Sequence, residues 1–391
     1  MAHYDVIVIG LGAMGAATTY QLAKKQSRVL GIDRFSPPHA FGSTHGDTRI
    51  TRLAIGEGAQ YSPLAIRSHE IWRELEMQTG ETLMTQCGAL YIAPINDDSV
   101  LHGRPGFLTR TQESADRYDV PYTLLDAETV RARFPVFNVR FDERALFEPS
   151  AGFVRPEACV RQQLALAASL GADIRTSETF VRYEIDRAGM VKVTTNAGTY
   201  TARKLVLSMG AWIGPAMPPE FAPLFTVVRQ LLCWFDVPGD IAAFAPERCP
   251  VHIWALPGNH DIYGFPAVDG ARGGVKIASE QYAKTTTADT VQREVTEAET
   301  TALFEEFVSP CFPDVSATVV RTATCLYTVT PNFDFIIDTL PGEEQVMVVS
   351  PCSGHGFKHS AAIGESVASI MCDEAPRVSL DAFRGPWRSG G

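Results

Sequence analysis

The sequence predicts a mixed α/β fold organised around a dinucleotide-binding strand–turn–helix at its start, and three observations carry that expectation. Tyr4 to Gly15 reads YDVIVIGLGAMG, in which the apolar run Val6 to Ile9 leads into Gly10, Gly12 and Gly15 in G-x-G-x-x-G spacing. A helical stretch, Ala13 to Lys24, follows directly. A second apolar run, Val29 to Ile32, then ends on Asp33, 18 residues after Gly15.

Each part has a physical reason. A run that is apolar at every position suits a parallel strand buried on both faces. Gly10 allows the tight turn out of the strand, and Gly12 lets backbone approach a pyrophosphate. Gly15 lets the helix lie close on the strand, so that N–H groups and the helix dipole meet the phosphates. Asp33 stands where a carboxylate accepts both hydroxyls of an adenosine ribose. A glycine turn of accidental spacing is the alternative. The strand before, the helix after and Asp33 together favour a dinucleotide, although the motif does not separate NAD from FAD.

Composition bounds the partners. At 391 residues the chain supports a large core and two domains. Its 34 basic residues against 45 acidic ones give a formal net charge of −11. That balance argues against nucleic acid or an anionic membrane as the main partner. No Lys or Arg precedes the first apolar stretch and glycines interrupt it, so it does not read as a signal peptide. No run reaches the ~18 apolar residues of a membrane span, and a cytoplasmic protein is expected. The eight cysteines are scattered without a C-x-x-C pair, so neither a metal site nor a disulfide framework is expected.

In chain order, Ser36 to Asp47 is a turn-rich loop leading to Arg49 and Arg52, and it reads as a functional loop over a ligand. Ser62-Pro63 reads as the N-cap and first position of a helix that stops at Gly80. Pro156 opens another helix ending at Gly171, and Val191 to Thr201 reads as a hairpin around Asn196-Ala197-Gly198. Lys204 to Gly210 is a buried strand ending in glycine, and Thr290 to Phe307 a polar helix. Strand, glycine loop and helix close the chain from Gln345 to Met371. These readings make a Rossmann-type domain in three pieces, residues 1–84, 146–214 and 323–391. An antiparallel-sheet substrate domain, residues 85–145 and 215–322, is threaded between them.

Several residues could carry chemistry. Alone, Cys325 between β-branched neighbours reads as an inert core thiol, and Arg49 or Arg52 as surface arginines. Lys276, within an apolar strand pattern, either snorkels to the edge or is held inside for a reason. Lys358 opens a helix, where a cation is mildly opposed by the dipole, so a ligand anion nearby would make sense. His45 and His355 stand in glycine loops, and sequence alone does not choose between them as a base.

Taken together, the segments VIGLGAMG (8–15), PPHAFGSTHGDTRITRLAIGEG (37–58), YGFP (263–266), GGVKI (273–277), CLYT (325–328) and SGHGFK (353–358) make the chain recognisable. It resembles, essentially end to end, the monomeric sarcosine oxidase and N-methyltryptophan oxidase family of D-amino-acid-oxidase-like flavoproteins. The resemblance implies FAD, with Gly10, Gly12, Gly15 and Asp33 on its ADP half, Gly354, Gly356, Phe357 and Lys358 in the last cofactor loop, and a thioether from Cys325 to the flavin. It implies that Arg52 and Lys358 bind the substrate carboxylate and that Tyr263 and Tyr327 line the substrate cavity. Lys276 would lie where dioxygen is reduced, with Arg49 and His45 beside the flavin ring.

The implied activity is oxidation of the secondary amine of an amino acid by hydride transfer to flavin. Imine hydrolysis follows, and dioxygen becomes hydrogen peroxide. An N-methyl amino acid is expected before a cyclic imino acid or a glycated amino acid. The partners are then a small amino acid and dioxygen, and the protein a monomer. Glu280 stands where sarcosine oxidases tend to place a histidine, which favours a cationic amine or a bulkier substrate with a second polar group. Thr44 replaces a histidine common in the flavin loop, and His359 an aromatic. An NAD-linked dehydrogenase and a non-catalytic flavin-binding sensor are the rival classes; neither requires Arg52, Lys276, Cys325 and Lys358 together.

Overall fold

A computed structural model describes residues 3–388. The chain forms a mixed α/β fold around two large sheets. The first has eight strands, and His3–Ile9 lies at its centre, parallel to Val29–Ile32 on one side and to Thr199–Leu207 on the other. Asp173–Arg175 and Glu343–Ser350 extend the parallel set at either edge. Ile336–Leu340 and the meander Phe180–Ile185 and Val191–Thr195 add antiparallel strands.

Burial on both faces explains the unbroken apolar run. Val6 and Val8 enter one core, formed with the helices Ala13–Lys24, Ser62–Thr79, Pro156–Ser169 and Ser360–Met371. Ile7 and Ile9 enter another, on the opposite face. Each such side chain contributes about 1.5–3 kcal/mol when fully buried.

The second sheet has nine strands. Val319–Val329 pairs along its length with Thr226–Phe235, which is flanked on its other side by Val275–Ser279 and Thr285–Thr286. His260–Gly264, Val251–Leu256, Ala89–Pro94, Glu143–Glu148 and Thr123–Asp126 follow in that order. The expected antiparallel sheet contains one parallel pair, Ala89–Pro94 with Val251–Leu256. The long stretch of chain between those two strands supplies the crossover that a parallel pair requires. The divisions expected at 145/146 and 322/323 fall inside Glu143–Glu148 and Val319–Val329, both strands of this second sheet. Cys325 and Tyr327 therefore reach the site from the second sheet.

Local expectations were met unevenly. Gly80 ends its helix in the left-handed region (φ 74°), and its N–H donates to Glu76 O. Ser62, however, is the first helical residue and its hydroxyl donates to Leu53 O, so it ties the helix to a loop instead of capping it. The polar helix begins only at Glu297, because Thr296 and Glu299 form a capping box that fixes the start. Among the described residues no helix is long and apolar enough to cross a membrane.

Candidate active site

Two adjoining cavities lie where the sheets meet. The larger, about 320 Å³, runs from the glycine turn past Asp33, Thr44 and Arg49 to Gly354, Gly356 and Phe357. The smaller, about 80 Å³, is lined by Arg52, Glu57, His102, Asp261, Tyr263, Glu280 and Lys358, among others. Arg49, Tyr327, Gly354 and Phe357 line both and form the junction.

The larger cavity fits a dinucleotide. Gly10 adopts φ 87°, and a Cβ there would meet Ser208 O at 2.5 Å. A Cβ on Gly15 would stand 1.7 Å from Gly10 O, so only glycine lets the helix approach the turn. The helix start at Gly12 has no side-chain cap and no acidic residue in its first turn, and Gly12, Ala13 and Met14 line the cleft. That leaves the dipole and helix N–H groups other than that of Ala13 for phosphate. Thr44 Oγ1 accepts from Ala13 N–H at 3.4 Å, standing beside the turn. Asp33 accepts from Leu11 N–H and Phe35 N–H, one on each oxygen at 2.7 Å. Each oxygen keeps a lone pair for a ribose hydroxyl.

Behind the junction sits a cationic cluster. Arg49 donates to Thr48 O and Ser43 O, both at 2.8 Å, and its Nη2 lies 3.4 Å from Cys325 Sγ. Cys325 is 1% exposed. Lys276 donates to Gly46 O, Thr48 O and Thr48 Oγ1 at 2.8–2.9 Å and lies 4.1 Å over the Phe265 ring. Burial and then Arg49 push its pKa well below that of an ordinary lysine. His45 is pushed down to about 3 by burial and by Arg49 and Lys276, so it is neutral at neutral pH. His45, Lys276 and Cys325 stand in the wall behind the residues that line the cavities.

The smaller cavity holds more chemistry than the sequence suggested. Arg52 and Lys358 do converge, but on Glu57, at 2.5 and 3.8 Å. The anion anticipated beside Lys358 is thus, in part, the chain's own. Burial alone would raise the Glu57 pKa; Arg52 and Lys358 override it and hold Glu57 well below the usual carboxylate range. Burial lowers Lys358 to about 7 against the pull of Glu57. Arg52 also donates to Ala54 O at 2.7 Å and lies over the Tyr91 ring, with N–H groups to spare for a second carboxylate.

Glu280 faces the same space. It accepts from Tyr282 at 2.6 Å and from Tyr327 at 3.3 Å, and pairs with His102 at 2.9 Å. Burial alone would lower the His102 pKa, but Glu280 and Glu57 raise it to about 9, so this pair is ionised and internally neutral. Tyr263 and Tyr327 share a hydrogen bond of 3.3 Å.

Glu57, His102, Asp261 and Tyr282 were missed as site residues. Glu57 was visible, inside the GEG ending of the longest family segment. Asp261 was recoverable too, since it lies two residues before Tyr263 and so on the same strand face. Nothing in the sequence marks His102, which a two-stranded hairpin, Val100–Leu101 with Arg104–Pro105, carries in from far away.

A nucleotide-binding α/β fold with a second cavity on its cleft defines the class as a dinucleotide-binding protein with a separate ligand site. Comparison with known proteins then gives the family. A family model described as FAD dependent oxidoreductase matches residues 5–370. A monomeric sarcosine oxidase of Streptomyces avermitilis is 40% identical, over 94% of this chain and 93% of the relative. An N-methyl-L-tryptophan oxidase of Yersinia pestis is 36% identical over 97% and 98%. The solved structure of NikD, an unusual amino acid oxidase essential for nikkomycin biosynthesis, matches with TM-score 0.81 at 23% identity, covering 98% of each chain. The chain belongs to this family of FAD-dependent oxidoreductases, alongside the sarcosine and N-methyltryptophan oxidases.

Proposed function

We propose that the protein oxidises the secondary amine of an N-methyl amino acid. The observation that carries this reading is the cation pair Arg52 and Lys358 in a cavity that shares its wall with the FAD cleft. Bound FAD supplies the two-electron acceptor for the C–N bond and the route by which dioxygen becomes hydrogen peroxide. The chain's residues do the rest. Arg52 and Lys358 give the substrate carboxylate charge-assisted hydrogen bonds, which orient the adjacent C–N bond toward the junction. Tyr263, Tyr327 and Phe265 exclude water around it. The buried Lys276, whose Nζ is held by three oxygen acceptors that favour the ammonium against burial and Arg49, would meet negative charge developing on dioxygen, the logic of an oxyanion site.

Cys325 is the proposed covalent anchor, supported by its burial beside Arg49 and Ser43, two residues of the cleft. The names of the relatives support sarcosine or N-methyltryptophan as substrate types and a monomer as assembly. The eight unpaired thiols suit a reducing, cytoplasmic compartment.

The test is the visible spectrum of purified protein before and after acid precipitation, joined to a peroxide assay across N-methyl amino acids. Yellow colour retained in the pellet, lost in Cys325→Ala, is the expected result. Colour in the supernatant of the parent protein would remove the Cys325 linkage. Absence of peroxide with every secondary amine would remove the oxidase reading.

A further inference from the structure

The far end of the substrate cavity presents acceptors that lack donors. Tyr263 pairs in register with Ala278, which brings Asp261 and Glu280 side by side two residues further on, with Glu280 N–H directed at Asp261 O at 3.4 Å. Both carboxylates line the cavity. Like charges across a strand pair oppose folding unless something compensates. Glu280 is compensated by His102, Tyr282 and Tyr327; Asp261 is not, and its enclosed Oδ1 has no partner.

A second wall atom, nearer the clamp, also lacks a donor: it belongs to His355, whose backbone O accepts from Lys358 at 2.8 Å. His355 is 6% exposed, and its Nε2 lies 3.1 Å from Phe333 O, so that nitrogen carries the proton and Nδ1 is an acceptor. That Nδ1 is buried without a donor, and His355 lines the same cavity. Enclosed acceptors without donors are costly and call for donors from a ligand. From Asp261 the contacts run to Glu280 across the strand pair, from Glu280 to His102 at 2.9 Å, from His102 to Glu57 at 3.5 Å, and from Glu57 to Arg52 and Lys358. Glu280 therefore stands between an acceptor end and the cationic carboxylate clamp, and Leu101 and Ile253 supply apolar wall.

We propose that Asp261, assisted by Glu280, determines specificity at the cavity's far end, selecting amino acids whose side chain ends in a cationic or N–H donor group. The clamp takes the carboxylate, the apolar wall takes the stem of the side chain, and Asp261 accepts from its tip. The proposal rests on the amine-oxidase reading for its choice of substrate, but its binding chemistry is separable from turnover.

The experiment is calorimetric titration of the holoenzyme with non-reacting carboxylates matched in length, ω-amino carboxylates against their methyl-ended counterparts. Nα-methyl-L-lysine and Nα-methyl-L-norleucine are compared in parallel by kcat/KM. At the best-fitting length the ammonium-ended ligand is expected to bind about tenfold tighter or more, and the lysine derivative to be preferred likewise. Both ratios should fall toward unity in Asp261→Asn and Asp261→Leu, and by less in Glu280→Gln. Each is a ratio within one protein, so partial misfolding does not mimic the effect. Methyl-ended ligands binding as well at every length, no binding of either kind, or an unchanged ratio in Asp261→Leu would overturn the proposal. A preference that collapses in Asp261→Leu while neither derivative is oxidised would uphold the donor site and remove the oxidase reading instead.

Discussion

The cofactor cleft and the substrate cavity share a wall but are built in opposite ways. The cleft is made largely of backbone: glycines that admit close approach, a helix start with uncapped N–H groups, and one carboxylate held by two amides. The cavity is made of charged side chains from remote segments, paired with one another before any ligand arrives. A backbone cradle tolerates little change in shape. A charged cavity instead depends on which ionised partner is left alone.

That contrast predicts different failures. The largest effect is expected from Gly15→Val, because the new Cβ stands 1.7 Å from Gly10 O. It should cost about 3 kcal/mol or more and yield protein with little flavin, read by thermal melting and by the flavin-to-protein ratio. Next is Arg52→Met, which takes the shortest ion pair from buried Glu57 and leaves it His102 at 3.5 Å, already shared with Glu280, and Lys358 at 3.8 Å. We expect kcat/KM to fall by roughly 10²–10³-fold while the flavin ratio holds. Lost flavin in that variant would break the division between the two regions.

The smallest effect is a pH dependence. With Lys358 at about 7, the clamp carries its full charge below that pH and loses the Lys358 proton above it. The inhibition constant of acetate, which stays ionised from pH 6 upward, should therefore rise above pH 7, by at most about tenfold per unit. Lys358→Arg should flatten that rise, since guanidinium keeps its proton. An equal rise in the arginine variant would assign the titration elsewhere, with Asp261, also raised to about 7, the first group to examine.

The same contrast explains what was legible beforehand. Val6 to Asp33 could be read because strand, turn, helix and acidic residue are contiguous, and each residue's role follows from local geometry. Arg52 and Lys358 were placed by resemblance, and the structure brings them together; that they already share Glu57 depends on the fold of residues 53–57. His102 was out of reach because its role arises from tertiary pairing with Glu280 and Glu57, without any local pattern. The late start of the polar helix was readable from Thr296 and Glu299, since the capping-box spacing was in plain view and outweighs the propensity of the preceding residues.

Anaerobic mixing of the holoenzyme with an Nα-methyl amino acid, followed by absorbance, tests most directly whether the two cavities form one reaction centre. Bleaching of the visible flavin band, saturable with substrate and restored with hydrogen peroxide on admitting air, is the predicted result. In Arg52→Met the same bleaching should require far more substrate. A flavin band that no secondary amine bleaches, in protein that binds FAD fully, would contradict the assignment of the smaller cavity as a substrate site.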